Sequence, residues 1–293
     1  MFGFLNVNKP VGPTSHNIVA RIRRSVGRKV KVGHAGTLDP LADGVLVICL
    51  GPATRLADYV QSQPKRYVAE IVLGATSTTD DREGQITPTP NARLPSAEAV
   101  QGALGRFAGP IQQAPPAYSA VHVQGRRAYK LARAGDQPDL PPRTVTVHEI
   151  QLAAYEPPRL RIDVRCGSGT YIRSLARDIG QALGVGGYCS ALTRTEVGRF
   201  RIDDARPPDD LNPARDLLSP LLALADLPKL TVDAAGAEQI RNGRQIDALD
   251  GVPAGEVALL GEDGGLLAIA VAAPGGEALQ PTKVFCARSP SAG

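Results

Sequence analysis

The chain of 293 residues has little of what several large protein classes depend on. Its four cysteines, Cys49, Cys166, Cys189 and Cys286, lie far apart without a Cys-x-x-Cys pair, and its four histidines are equally dispersed. That spacing indicates neither a zinc site nor a disulfide framework, so no metal is expected and the thiols read as buried and free. No apolar run approaches the ~20 residues of a membrane-spanning helix. The start, Met1-Phe2-Gly3-Phe4-Leu5-Asn6, lacks the basic leader and long apolar region of a signal peptide, so a cytoplasmic location without a membrane is expected.

Net charge is only +4, but it is unevenly spread. Residues 1 to 66 hold ten Lys/Arg against three Asp/Glu, residues 67 to 227 hold eighteen of each, and residues 228 to 293 hold five basic against eight acidic groups. A basic amino-terminal part is the electrostatic footprint of a polyanion partner, although many Arg-rich helix faces serve only solubility. Length and a 43% hydrophobic content predict two ordinary globular domains.

The most informative stretch is Gly33-His34-Ala35-Gly36-Thr37-Leu38-Asp39-Pro40-Leu41-Ala42-Asp43-Gly44-Val45. Its glycines allow tight backbone and close approach of a ligand, and Pro40 pushes Asp39 out of the helical region. Val45–Leu50 then reads as a buried strand that anchors the loop. Such a cluster is most often only a turn, so its literal pattern has to decide.

Along the chain, Asn6 to Ser15 reads as a short strand and a turn containing Lys9-Pro10-x-Gly12. Thr14 or Ser15 then caps an amphipathic basic helix carrying Ile18, Val19, Ile22 and Val26. Lys65-Arg66-Tyr67 opens a strand, 97–107 a helix, and Gln113 to Arg133 combines prolines and tyrosines with a basic helix from Arg126 through Arg127 and Lys130. Basic groups interleaved with aromatics suit looped RNA, while a solvated face is the plainer reading. Residues 144–150 and 160–166 alternate as strands, and Ile172, Leu175, Ala176, Ile179 and Leu183 form a helical stripe with Arg173 on its other face. A further helix is predicted from Pro207 through Leu217 and Leu224. After Asp226-Leu227-Pro228, Gly-rich turns separate short apolar runs, which predicts a small β-barrel.

Gly-His-Ala-Gly-Thr-Leu-Asp-Pro-Leu-Ala-Asp-Gly-Val-Leu resembles the signature of the bacterial tRNA pseudouridine-55 synthases, the TruB family. Lys9-Pro10-x-Gly12, Lys65-Arg66-Tyr67, Gly169-Thr170-Tyr171-Ile172-Arg173 and Leu192-Thr193-Arg194-Thr195 are similar to the family's other motifs, in the same order. The match departs from the usual residues at Asn8, Thr78 and His122, while Asp81 falls on an acidic family position. The resemblance implies an α+β pseudouridine-synthase fold: a mixed, mainly antiparallel sheet flanked by helices, plus a small carboxy-terminal PUA-like barrel. It implies a catalytic domain over 1–226 with an RNA-gripping insertion at about 113–143, and an accessory domain over 227–293.

By the same resemblance Asp39 is the catalytic aspartate, Arg173 its partner and Tyr67 the tyrosine that stacks on the target base and is a candidate for the C5 proton. Leu192 would pack on the base, His34 would fill the space it vacates, and Tyr171 would line the site. Lys9, Arg126, Arg127 and Lys130 would contact RNA. The implied partner is the T-stem-loop of tRNA, met by a monomer that needs no obligatory protein partner, and since neither a redox step nor a group transfer occurs, no cofactor is implied. Two rivals remain open at this point: a non-catalytic RNA-binding protein, and a hydrolase that uses Asp39 and Asp43 as a carboxylate pair.

Overall fold

A computed structural model describes residues 1–119, 122–123, 126–128, 131, 140–247, 254–273 and 277–286. Its centre is a nine-stranded mixed sheet. The main path runs β1 (Gly3–Lys9), β3 (Ala42–Leu50), β12 (Gly187–Val197), β4 (Lys65–Leu73), β11 (Arg159–Cys166), β10 (Arg143–Glu156) and β7 (Gly109–Gln113). The short strands β2 (Val32–His34) and β13 (Phe200–Arg201) pair off this path with β3 and β12. Only the β3–β12 pair is parallel, so the sheet is mixed and mainly antiparallel as expected. Two further small pairings are β5 (Ala75–Ser77) with β6 (Ile86–Pro88), and β8 (His122–Val123) with β9 (Arg126–Arg127).

Helices α1 (Ser15–Val26), α3 (Ala97–Leu104) and α4 (Ile172–Ala182) cover one face. Ile18, Val19 and Ile22, Val100 and Leu104, and Leu175, Ala176 and Ile179 pack there on Leu46, Ile48, Ala69, Ile71 and Ile162. The α1 stripe falls where the periodicity puts it, and a capping box between Thr14 and Asn17 starts the helix. On the other face a 3₁₀ turn over Gly51–Leu56 and α2 (Ala57–Ser62) lay Ala53, Leu56 and Val60 on Phe4, Val45, Val47 and Cys49.

The carboxy-terminal part is a five-stranded sheet in the order β14 (Lys229–Thr231), β16 (Glu256–Leu260), β17 (Leu266–Ala272), β18 (Ala278–Val284), β15 (Ile246–Asp247), with α5 (Ala234–Arg241) against it. It is not an independent ball. Ala258, Leu266, Ile269 and Phe285 belong to the same buried cluster as Phe4, Leu56 and Val60, and Phe285 stacks on Phe2 at 5.3 Å between ring centroids. The Tyr59 hydroxyl donates to the Glu256 carboxylate at 2.9 Å. Among the described residues no helix is long and apolar enough to cross a membrane.

Several sequence expectations are corrected. No α-helix forms over 207–224. That segment runs along the free edge of β1, exchanging backbone hydrogen bonds between Leu218 and Phe4 and between Arg206 and both Asn6 and Asn8, and only Pro220–Leu224 turns as a 3₁₀ helix. Pro213 and Pro220 lack the amide that a continuous helix needs, and covering β1 satisfies an otherwise open strand edge. The strand expected over 144–150 is β10, fourteen residues long, because two bulges interrupt its alternation. Arg126 and Arg127 lie on strand β9, not on the helix, which includes Ala128 and Leu131. Their side chains and all of Lys130 lie outside the described residues.

Candidate active site

The Asp39 loop joins β2 to β3, which pair with each other (Val32 with Leu50, His34 with Ile48), so the loop closes on a rigid base. Its backbone is pinned from several sides. The buried Ser15 hydroxyl, at the start of α1, donates to the Leu38 carbonyl at 3.0 Å and accepts from the Leu38 amide at 2.8 Å. The Gly12 amide donates to the Pro40 carbonyl at 2.8 Å. Arg194, on β12 and only 2% exposed, donates to the carbonyls of Val45 (2.7 Å), Thr37 (3.1 Å) and Gly36 (3.2 Å), clamping both ends of the loop. Gly44 is required where β3 passes this strand: its φ is +99°, and a Cβ there would meet the Arg194 carbonyl oxygen at 2.3 Å.

Asp39 projects its carboxylate to Arg173, in the first turn of α4. The Nε–Oδ2 distance is 2.9 Å, with Asp39 one-third exposed and Arg173 almost fully buried. The rest of the guanidinium donates to the carbonyls of Thr79 (3.2 Å) and Tyr118 (3.0 Å). A second carboxylate, the buried Asp81, lies 3.3 Å from Arg173 and is itself held by the Thr79 hydroxyl (2.6 Å) and the Glu83 amide (2.9 Å). Burial opposes the charge on Arg173, but Asp39 and Asp81 outweigh it and hold the group more firmly protonated than usual. Every one of the Arg173 nitrogens is therefore committed within the protein.

Asp39, Arg173, Tyr67, Leu192, His34 and Tyr171 line one open cavity of about 1120 Å³. Tyr67 comes from β4 and Leu192 from the adjacent β12, on the same sheet face. Burial raises the Tyr67 hydroxyl above its ordinary pKa, and the Arg194 guanidinium, within hydrogen-bonding reach, pulls it the other way. His34 meets His16 edge-on at 5.7 Å, and its Nδ1 is buried without a partner among the described residues. Burial first, then His16 and Arg194, lower its pKa, so the ring stands neutral at pH 7. Tyr171 has its backbone held at both amide and carbonyl by the Gln113 side chain, while Arg143 lies over its ring at 5.1 Å.

Lys9 departs from expectation. It is fully buried, its Nζ donates to the carbonyls of Pro10 (2.9 Å) and Pro13 (3.1 Å), and it does not line the cavity; it braces the turn that leads into α1. Burial lowers its pKa to about 8, with Asp43 and Asp39 opposing. Asp81 and Arg194 are the residues that motif reading left without a role. Asp81 was visible only as an acidic position in a polar turn, and Arg194 only as the residue after Leu192-Thr193. Among the described residues no cluster of three His, Cys, Asp or Glu is arranged to hold a metal, and Asp43, unlike Asp39, is not among the residues that line the cavity.

Residues 23–172 match the family described as "TruB family pseudouridylate synthase (N terminal domain)". A protein named "tRNA pseudouridine synthase B" from Parasynechococcus marenigrum is 44% identical over 291 residues, covering 97% of each chain. One of the same name from Caldanaerobacter subterraneus is 40% identical over 284 residues, 97% of this chain and 99% of that one. Among solved structures, that described as "Crystal Structure of a Cbf5-Nop10-Gar1 Complex" superposes with a TM-score of 0.73 at 28% identity, over 98% of this chain and 86% of its own.

Proposed function

Because the chain belongs to the TruB family of pseudouridylate synthases, we propose that it isomerises the uridine at position 55, in the T-loop of tRNA, to pseudouridine. The observation that carries the reading is the Asp39–Arg173 ion pair at 2.9 Å, set in a cavity walled by Tyr67 and Leu192. A carboxylate oriented by a buried cation beside an aromatic and an aliphatic wall suits a base extruded from its stack. A hydrolase pair of Asp39 and Asp43 has no such support.

In this reading the flipped uracil lies between Tyr67 and Leu192. Asp39 assists cleavage of the C1′–N1 bond, either by attack at C1′ or by taking a proton from C2′. The detached base turns, a C1′–C5 bond forms, C5 loses its proton and N1 gains one, so atoms and charge balance without a co-reactant. Tyr67 is the proposed acceptor of the C5 proton; burial raises its hydroxyl above the ordinary pKa, and Arg194 offsets only part of that. His34 takes the place that the flipped base leaves in the RNA. The reaction itself calls for no cofactor or metal. Arg126, Arg127 and Lys130 are proposed to grip the T-stem-loop from the insertion.

The division into a catalytic part, 1–226, and a PUA-like accessory part, 227–293, belongs to this proposal, as does action in the cytoplasm as a monomer without an obligatory protein partner. The curated relatives of similar length, named for tRNA, support the substrate. The test is Asp39→Asn measured on a tRNA transcript. RNA affinity is expected to persist while product formation vanishes, and appreciable isomerisation by the pure variant would overturn the assignment.

A further inference from the structure

A second, smaller pocket of about 390 Å³ adjoins the cleft, with Lys65 lining both. Three arginines from neighbouring segments face it: Arg165 at the end of β11, Arg199 in the turn after β12, and Arg201 on β13. All three are exposed, and none makes an ion pair or side-chain hydrogen bond among the described residues. Two carboxylates, Glu196 and Asp226, share the wall, and neither has a cation within ion-pair distance among the described residues. Glu196 stands directly opposite Arg201 in the β12–β13 pairing without closing an ion pair, so the pocket gathers charges of both signs that form no ion pair among the described residues.

At the wall stands Gln63, 8% exposed, whose amide nitrogen donates to the Ala223 carbonyl at 3.1 Å while its Oε1 has no partner among the described residues. Gly198 makes room for it, since at φ +53° a Cβ would lie 1.6 Å from that oxygen. An unsatisfied buried acceptor is costly unless something donates to it. The set that opens to the pocket is thus three guanidiniums and two carboxylates without ion-pair partners among the described residues, with the Gln63 oxygen buried behind them. Phosphate oxygens answer the first and sugar hydroxyls the second. Lys65, whose Nζ is tied down by the Gln61 and Gln63 carbonyls, forms the partition between this pocket and the cleft.

We propose that this pocket is a second RNA subsite, taking one ribose-phosphate of the substrate strand next to the nucleotide held in the cleft. Its phosphate sits on Arg165, Arg199 and Arg201, and its 2′-hydroxyl faces Glu196. The inference rests on the function proposed above and adds a contact that no sequence motif carries.

The test uses the full chain with Arg165, Arg199 and Arg201 each changed to Gln, and an in vitro tRNA transcript. The dissociation constant should rise about tenfold, the worth of one charge-assisted contact. The slope of log affinity against log salt should flatten by about one. The single-turnover rate at saturating enzyme should stay unchanged. Transcripts with single 2′-deoxy substitutions flanking the target should reveal one position that weakens wild-type binding and leaves the triple variant indifferent. A matched variant neutralising Arg93, Arg106 and Arg244 controls for net charge; equal weakening by it overturns the subsite, as does an unchanged salt slope in the pocket variant. Competition by uridine 5′-monophosphate with the transcript in wild type but not in the variant, without loss of RNA affinity, makes the pocket a free-nucleotide site and also overturns it. If wild type forms no pseudouridine, the proposed function falls; if wild type is active and the variant binds normally, only the subsite falls.

Discussion

Replacing Arg194 by Met keeps the length and apolar stem of the side chain and removes the guanidinium that joins Gly36 and Thr37 to Val45 across the Asp39 loop. Three carbonyl oxygens lose this donor, that of Val45 buried and those of Gly36 and Thr37 at the wall of the open cavity. At about 1 kcal/mol each, the net worth of a typical hydrogen bond, the loss is about 3 kcal/mol. Relief from burying a cation without a carboxylate partner works in the opposite direction and keeps the figure from being larger. With about 2–4 °C for each kcal/mol in chains of this order of size, Tm should fall by roughly 6–12 °C. Activity should suffer more than stability, because Asp39 stands between the two clamped ends and a shift of ~1 Å in a reacting group can slow chemistry about 100-fold. Thermal unfolding followed by circular dichroism gives the first number, and release of tritium from C5-labelled uridine in a single turnover gives the second. Arg194→Lys restores the charge but has one ammonium for carbonyls at both ends, so it should recover part of the stability and little of the rate. An Arg194→Met protein with unchanged Tm and rate would refute the clamp, and full recovery of rate by Lys would reduce its role to charge alone.

Burial lowers Lys9 from 10.5 to about 8, so between those values the unfolded chain holds the proton that the folded chain has released. Stability contributed at this site must therefore rise with pH from about 8 to 10.5, and the stability of wild type relative to Lys9→Met, measured by denaturant unfolding, should grow over that window. Cys49 and Cys189, pushed up to about 12, and Cys166, to about 11, act with the opposite sign above pH 9, which is why the comparison must be with the variant rather than with wild type alone. A flat difference would mean that Lys9 is not buried as described. Ending the chain at Asp226 keeps every residue assigned to chemistry but removes Phe285, Ile269 and Leu266 from the core they share with Phe4, Leu56 and Val60. At about 1.5–3 kcal/mol for each large apolar side chain uncovered, the truncated protein should unfold well below the full chain in a thermal scan; coincident transitions would make the two parts energetically separate.

Contiguous information was legible in the sequence. The Asp39 loop, the strand that follows it, α1 with its Thr14 cap and the α4 stripe each depend on residues close together in the chain, where glycine and proline geometry, capping and period-3.6 patterning act directly. Partnerships across the chain were not. Arg194 lies some 150 residues from Val45, and nothing local marks it as the clamp. Lys9 reads as a cation available to phosphate until the fold closes two prolyl carbonyls around it. The leucines between 207 and 224 carry an apolar spacing compatible with a helix, and only the free edge of β1, hydrogen-bonded at Arg206 and Leu218, holds the segment in turns along it.

The sequence by itself determined the chemical inventory: an aspartate fixed on a non-helical loop, a basic amino-terminal part, an arginine at the head of a helix, and a tyrosine opening a strand. Tertiary structure decided which of these meet. Arg173 is brought between Asp39 and Asp81, residues 134 and 92 positions away, because packing of α4 on the sheet places its first turn over the loops at the strand ends. The same packing buries Lys9, gathers the charges around Gln63 and runs one apolar core through both parts of the chain. Side-chain type follows from the sequence, but burial and hydrogen-bond partners depend on distances that only the folded chain sets, and those distances fix what a charged group does.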